Sequence, residues 1–227
     1  MREPFAVPPS AGPALDRLYR AAPRGDRQPA CLYQGFRFST GAEFPGYSSD
    51  GREYDSYRKL PFLGLDSLPG KRVLDLGANL GFFSLQAAVH GAAEVISVEQ
   101  QAAPLRFARA LSDLLGVTAR LRFVHADLVP FVMAGTPGPV DVAWLLSVVH
   151  QLYPHLRGAE PFLARLASLS PQVVIEIPVA HPHMALGLRP IRQRLRAVFP
   201  VVRLRYVYKA YSPGYRAIFA CAAAAPR

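Results

Sequence analysis

Three carboxylates lie within or just after short apolar runs in the middle of this 227-residue chain, and a glycine-bearing loop follows the first run. Asp75 lies in Val73-Leu74-Asp75-Leu76, Glu99 follows Val95-Ile96-Ser97-Val98, and Asp127 follows Val124-His125-Ala126. With two oxygens, Glu99 can accept hydrogen bonds from both hydroxyls of a ribose, and Asp127 can accept one from an adenine amino group. The loop is Gly77-Ala78-Asn79-Leu80-Gly81. Gly77 lets the chain turn sharply, Gly81 lets backbone approach closely where a helix starts, and the amide donors of such a loop can hold a polar ligand. It is not the dinucleotide fingerprint, because Asn79 stands where G-x-G-x-x-G needs its second glycine. It is not a phosphate-binding P-loop either, because no Gly-Lys-Ser or Gly-Lys-Thr closes it.

A second set of residues could handle a proton or a polar substrate. His150 lies in Leu146-Ser147-Val148-Val149-His150-Gln151-Leu152-Tyr153. An unperturbed histidine titrates near neutral pH, so His150 is the leading proton acceptor, with a helix start or a pocket wall as its plainer reading. Tyr153 can orient a polar substrate or stack on a ring. Glu176, His181 and His183 share the stretch Glu176-Ile177-Pro178-Val179-Ala180-His181-Pro182-His183 and are expected to contact substrate. A His-x-His pair with a carboxylate can also bind a metal, but no third-ligand spacing decides for one, so no metal is expected. Tyr47, Tyr57 and Arg58 belong to a polar, aromatic segment. A tyrosine can cover an apolar group and donate one hydrogen bond, and an arginine can grip a carboxylate or phosphate. The plain alternative is a packed loop tying the N-terminus to a sheet.

Positioning these residues requires strands that end in loops. Residues 72–76, 92–98, 121–124, 140–146 and 172–177 read as strands, alternating with helices over 80–90, 101–115 and 156–169, the last with a break near Pro161. Residues 189–198 read as a helix with a basic outer face. Strands over 201–208 and 215–221, joined by Ser212-Pro213-Gly214, read as an antiparallel hairpin at a sheet edge. Before residue 71 the pattern is weaker: a short helix at 14–20, an extended piece at 31–38, a loop or lid over 39–56, and a helix from Ser56 towards Leu65. The alternation predicts an α/β fold whose mostly parallel sheet is covered on both faces. Ligands in such folds bind beyond the strand C-termini, where strand order reverses. Residues 1–60 are expected to form an N-terminal cover over the substrate entrance, and residues 61–227 the core.

The formal net charge is +10. Residues 61–180 are nearly neutral, whereas residues 181–227 carry nine basic side chains and no acidic one. That excess suits a soluble basic surface, or attraction of a nucleic acid or acidic partner. Because side chains alternate along a strand, Arg203 and Arg205 are expected on one face and Tyr206 and Tyr208 on the other, which argues against a flat surface using both sets. No apolar run is long enough to span a membrane, and the N-terminus lacks a secretory apolar core. With only Cys31 and Cys221, a reduced, cytoplasmic protein is the expectation.

Taken in order and spacing, the loop, Glu99 and Asp127 resemble the class I S-adenosylmethionine-dependent methyltransferases over roughly residues 70–221. The resemblance implies a Rossmann-like seven-stranded sheet whose final strand is antiparallel. It implies S-adenosyl-L-methionine as cofactor, held by Asp75, Gly77, Ala78, Asn79, Gly81, Glu99 and Asp127, with Asn79 departing from the commoner Gly-x-Gly loop. The first expectation is methyl transfer to an oxygen or nitrogen of a small molecule, with His150 as base. One alternative is an RNA or nucleotide methyltransferase using the basic C-terminal region. Another is a catalytically inactive cofactor-binding interaction protein. A nicotinamide-dependent dehydrogenase ranks below all three.

Overall fold

The strand–helix alternation is realised as one mixed sheet. The computed structural model describes residues 3–24, 32–46, 55–179, 186–209 and 214–223. In chain order the elements are α1 (Gly12–Ala21), β1 (Phe36–Arg37), β2 (Glu43–Phe44), α2 (Asp55–Lys59), β3 (Arg72–Leu76), α3 (Phe82–Val89), β4 (Glu94–Glu99), α4 (Ala102–Leu114) and β5 (Leu121–His125). They continue as α5 (Leu128–Met133), β6 (Val142–Leu146), α6 (Val149–Leu152), α7 (Glu160–Leu169), β7 (Gln172–Val179), α8 (Leu188–Arg196), β8 (Val201–Lys209) and β9 (Tyr215–Ala222). Seven strands follow the order β5-β4-β3-β6-β7-β9-β8, and β1 pairs with β2 in a separate ribbon. Pairs β4–β5, β3–β6 and β6–β7 are parallel, while β9 runs against both β7 and β8. This is the expected Rossmann-like sheet with an antiparallel final strand, and its order reverses between β3 and β6.

Contacts divide the chain into two units, residues 1–70 with 78–126 and residues 71–77 with 127–227. The N-terminal segment groups with residues 78–126 in the first unit. In this first unit, α3 is buried over seven consecutive residues, Phe82 to Ala88, as befits a helix apolar on nearly every side. The N-terminal segment is short of regular structure and is held instead by aromatic packing. Phe82 meets Phe5, Phe36 and Tyr57 at ring-centroid distances of 5.8, 5.5 and 4.8 Å. Phe36 also meets Phe107 of α4 at 5.6 Å. Edge-on and tilted contacts of this kind add to the burial itself. The helix expected from Ser56 stops at Lys59 and continues as a 3-10 turn over Leu60–Phe62, because Pro61 cannot donate to an α-helical ladder.

In the second unit, β3, β6 and β7 are buried along almost their whole length, which is why they read as continuous apolar runs. Pro161 does not break α7 but stands in its first turn, where a missing N–H costs nothing. Helix α8 buries Ile191 and Leu195 and turns its arginines outward. Strand β8 carries an irregularity between Leu204 and Tyr206 that changes which side chains share a face.

Candidate functional site

The loop after β3 is built around left-handed backbone. Gly77 has φ +74°, and a Cβ there would lie 2.4 Å from Cγ2 of Val148. Gly81 has φ +78°, and a Cβ there would lie 2.7 Å from the Cβ of Ala108 in α4. Both glycines are therefore required for conformation and for close packing. Asn79 is also left-handed, with φ +52°. Asparagine is among the few non-glycine residues that tolerate this region, so the departure from Gly-x-Gly keeps the same backbone shape. The Asn79 Oδ1 accepts from the Leu80 N–H at 2.9 Å.

Within the first unit, Glu99 at the end of β4 grips this loop. Its Oε2 accepts from the Asn79 N–H at 3.0 Å and its Oε1 from the Gln101 N–H at 2.9 Å. The Ala78 N–H donates to the Val98 carbonyl at 3.0 Å. A carboxylate has about four lone-pair sites, so two such bonds leave capacity for ligand hydroxyls. Gln34 completes the arrangement and was not anticipated from the sequence. It is buried, donates through Nε2 to the Ala78 carbonyl at 3.3 Å, and accepts at Oε1 from the Phe82 N–H at 3.1 Å. One side chain thereby ties the loop to the first turn of α3 and satisfies a helix donor that has no partner within the helix. Its only signal in the sequence is an amide between the apolar residues Leu32 and Phe36.

In the second unit, Asp75 is buried in β3 opposite Trp144. Asp127 is the N-cap of α5, its Oδ1 accepting from the Val129 N–H at 3.0 Å. The cap occupies one carboxylate oxygen. Tyr153 carries a raised pKa, first because burial disfavours its phenolate and second because the charge of Asp127 does the same. The Tyr153 ring also packs on Phe162 at 5.7 Å. His150 lies buried in the short helix α6, directly after β6.

Ser147, between β6 and α6, is held in left-handed backbone with φ +64° by a buried polar network. Its Oγ donates to Oε2 of Glu176 at 2.6 Å and accepts from Nη1 of Arg216 at 2.8 Å. The Arg216 Nε is 3.9 Å from Oε1 of Glu176, and the Tyr208 hydroxyl donates to that same oxygen. All four residues are buried. Strands β7, β8 and β9 together fix the backbone from which the His150 helix starts.

Three solved structures share this architecture. The N-terminal domain of EvdMO1, solved in the presence of SAH and D-fucose, has TM-score 0.65 and 18% identity, covering 95% of this chain and 97% of that one. Magnesium protoporphyrin IX methyltransferase (ChlM) from Synechocystis PCC 6803, with bound SAM, has TM-score 0.57 and 21% identity over 74% of this chain and 78% of that one. The chain has the class I methyltransferase fold. The bifunctional kinase-methyltransferase WbdD is 27% identical with TM-score 0.58, covering 68% of this chain, which spans only 35% of WbdD. No protein-family model matches the chain, and no curated protein sequence does.

Within the methyltransferase fold, the expected site residues separate into groups. Ala78, Asn79, Gly81 and Glu99 are brought together in the first unit. Gly77, Val148 and the Ser147 network cluster in the second. Two expected substrate contacts need correction. Tyr57 is 0% exposed, and its hydroxyl accepts from the Arg37 N–H at 2.8 Å, so it braces the aromatic core. Burial raises its pKa, the nearby Arg37 groups only partly offsetting this. Glu176 is likewise 0% exposed, with both oxygens engaged by protein donors, so it braces a wall. Arg58 is half-buried on α2. Tyr47, His181 and His183 lie outside the described residues.

The expected separation of Arg203 from the tyrosines is also overturned. Register pairs Arg203 with Ala220, Tyr206 with Ile218 and Tyr208 with Arg216, which puts all three β8 side chains on one face. The extra residue at Arg205 resets the alternation, as a bulge does. Even so, Tyr208 is buried and Tyr206 stacks on it, with centroids 5.4 Å apart.

Proposed function

We propose that this chain transfers a methyl group from S-adenosyl-L-methionine to an oxygen or nitrogen of a small molecule. The carrying observation is Glu99, whose two oxygens are oriented by the Asn79 and Gln101 N–H groups beside a left-handed loop. That geometry fits a ribose diol, and the close contacts at Gly77 and Gly81 explain why the loop tolerates no larger residue there. The cofactor, when bound, supplies an activated methyl carbon attached to a sulfonium.

The chain's own residues would act by binding and orienting. Glu99 would accept from the ribose hydroxyls, Asp127 from the adenine amino group, and the loop from Gly77 to Gly81, with Asp75, would hold the amino-acid portion. Catalysis would rest on placing the acceptor in line and on removing its proton where it carries one. His150 is the base we propose, held by the α6 start that the Ser147–Glu176–Arg216 network positions. The D-fucose in the EvdMO1 structure and the porphyrin named for ChlM support a compact organic acceptor. A nucleic-acid acceptor has less support, because the expected stacking surface loses Tyr208 to the interior. Cytoplasmic location is part of this proposal.

Calorimetric titration with S-adenosylhomocysteine tests the cofactor assignment, and saturable binding is expected. Binding of a nicotinamide dinucleotide in its place would overturn the proposal. A panel of sugars, phenols, amines and carboxylic acids with methyl-labelled S-adenosylmethionine then tests the acceptor. With an active acceptor, His150→Ala should lower kcat far more than it weakens S-adenosylhomocysteine binding. Unchanged kcat across the pH range would remove His150 as the base.

A further inference from the structure

Helix α8 and the β8–β9 hairpin form a groove of about 540 Å³ lined by Leu188, Arg189, Arg192, Gln193, Arg196, Leu204 and Phe219. The three arginines repeat at i, i+3 and i+7 and so form one stripe of the helix, beside the stripe of Ile191 and Leu195 that anchors it. Over that interval the helix rises about 10 Å. Leu204 pairs with Phe219, Val207 with Ala217 and Lys209 with Tyr215, and alternate residues of β9 point the same way. Leu204, Val207 and Tyr215 therefore project on the face that borders the groove. They are 42%, 37% and 52% exposed, although large apolar side chains normally avoid such exposure in a group. Beyond them, residues 181–227 contain nine basic and no acidic side chains.

We propose that this groove docks an acidic amphipathic helix of a partner protein. A helix lying along α8 would set its apolar stripe on Leu204, Val207 and Tyr215, and carboxylates at the same helical repeat would meet Arg189, Arg192 and Arg196. Arginine suits this use because its fork engages a carboxylate through two parallel hydrogen bonds. Amphipathic helices dock in apolar grooves by laying their apolar face into them, and the arginine stripe beside this groove adds complementary charge for an acidic flank. The groove does not fit a nucleic acid as well. Phe219 in its lining is 0% exposed and cannot stack on a base, which leaves Tyr215 alone at the border without a second ring for a stacking platform, and an apolar strip has no complement in a phosphate backbone.

The test uses the full chain and a fluorescein-labelled synthetic helix of about five turns. Its glutamates and leucines occupy adjacent stripes, and a scrambled peptide of equal composition serves as control. Anisotropy titrations are expected to show the amphipathic peptide binding at least about tenfold tighter than the scramble. Arg192→Glu with Arg196→Glu should weaken it by about tenfold or more, and Leu204→Ser should weaken it without affecting the scramble. These surface variants should keep the wild-type melting temperature and S-adenosylhomocysteine affinity, which separates this result from the cofactor assignment. Equal binding of both peptides, no binding of either, or an oligouridylate that binds more tightly and ignores Leu204→Ser would each overturn the proposal.

Discussion

Replacing Glu99 by glutamine removes one acceptor while keeping the shape of the side chain, which makes it the sharpest probe of the loop. In the wild type, Oε2 and Oε1 accept from the Asn79 and Gln101 N–H groups at 3.0 and 2.9 Å, and the side chain sits in a residue only 7% exposed. A carboxamide has one oxygen, so one of the two N–H groups must face an NH2. Leaving a largely buried donor unmatched costs about 1–3 kcal/mol, and this part appears as lost stability. For a protein of this size each kcal/mol lowers Tm by about 2–4 °C. A second part appears only on binding. The ribose hydroxyls lose a charged acceptor, and bonds to charged groups contribute about 1.5–3 kcal/mol, or about 10- to 100-fold in Kd. Calorimetry with S-adenosylhomocysteine reads the second part, and urea denaturation in the absence of ligand reads the first. Glu99→Asp keeps the charge but shortens the reach, and should fall between the two. Affinity for Glu99→Gln within about twofold of wild type would refute the ribose contact. Unchanged stability would refute the brace on Asn79.

Other substitutions probe the packing of the second unit. Gly77→Ala adds a Cβ 2.4 Å from Val148 at φ +74°, and should lose about 2–4 kcal/mol in denaturant unfolding. Adding Val148→Ala should restore the part due to the clash but not the part due to backbone strain. Arg216→Met leaves Glu176 buried without its cation and should cost about 3–5 kcal/mol. Combining it with Glu176→Gln should recover much of that loss in a double-mutant cycle, and strict additivity would show that the pair is not coupled. Burial pushes the Cys221 thiol up to about 12. Cys221 should therefore resist alkylation at pH 8 until the protein unfolds, read site by site by peptide mass mapping because the chain also carries Cys31. Because the unfolded thiol ionises first, this group's share of stability should decline as pH rises from the ordinary thiol range towards 12, which alkaline denaturation curves would show.

What can be read locally was legible in the sequence. The inner parallel strands β3, β4, β6 and β7 declare themselves as apolar runs because both of their faces are covered. The turn glycines declare themselves because left-handed backbone and a neighbouring side chain leave no space for a Cβ. Glu99 stands at a strand end, where a carboxylate reaches the adjacent loop, so its position needed only the strand to be found. Tertiary structure decided what depends on partners distant in the chain. Gln34 meets residues 44 and 48 positions away, and no local pattern marks which buried amide will do so. Glu176 looked like a substrate contact until Ser147, Tyr208 and Arg216, from three other segments, occupied its oxygens. The faces of β8 followed the same rule. Alternation assigns them correctly until one extra residue, Arg205, enters the ladder, and only pairing with β9 reveals that it does.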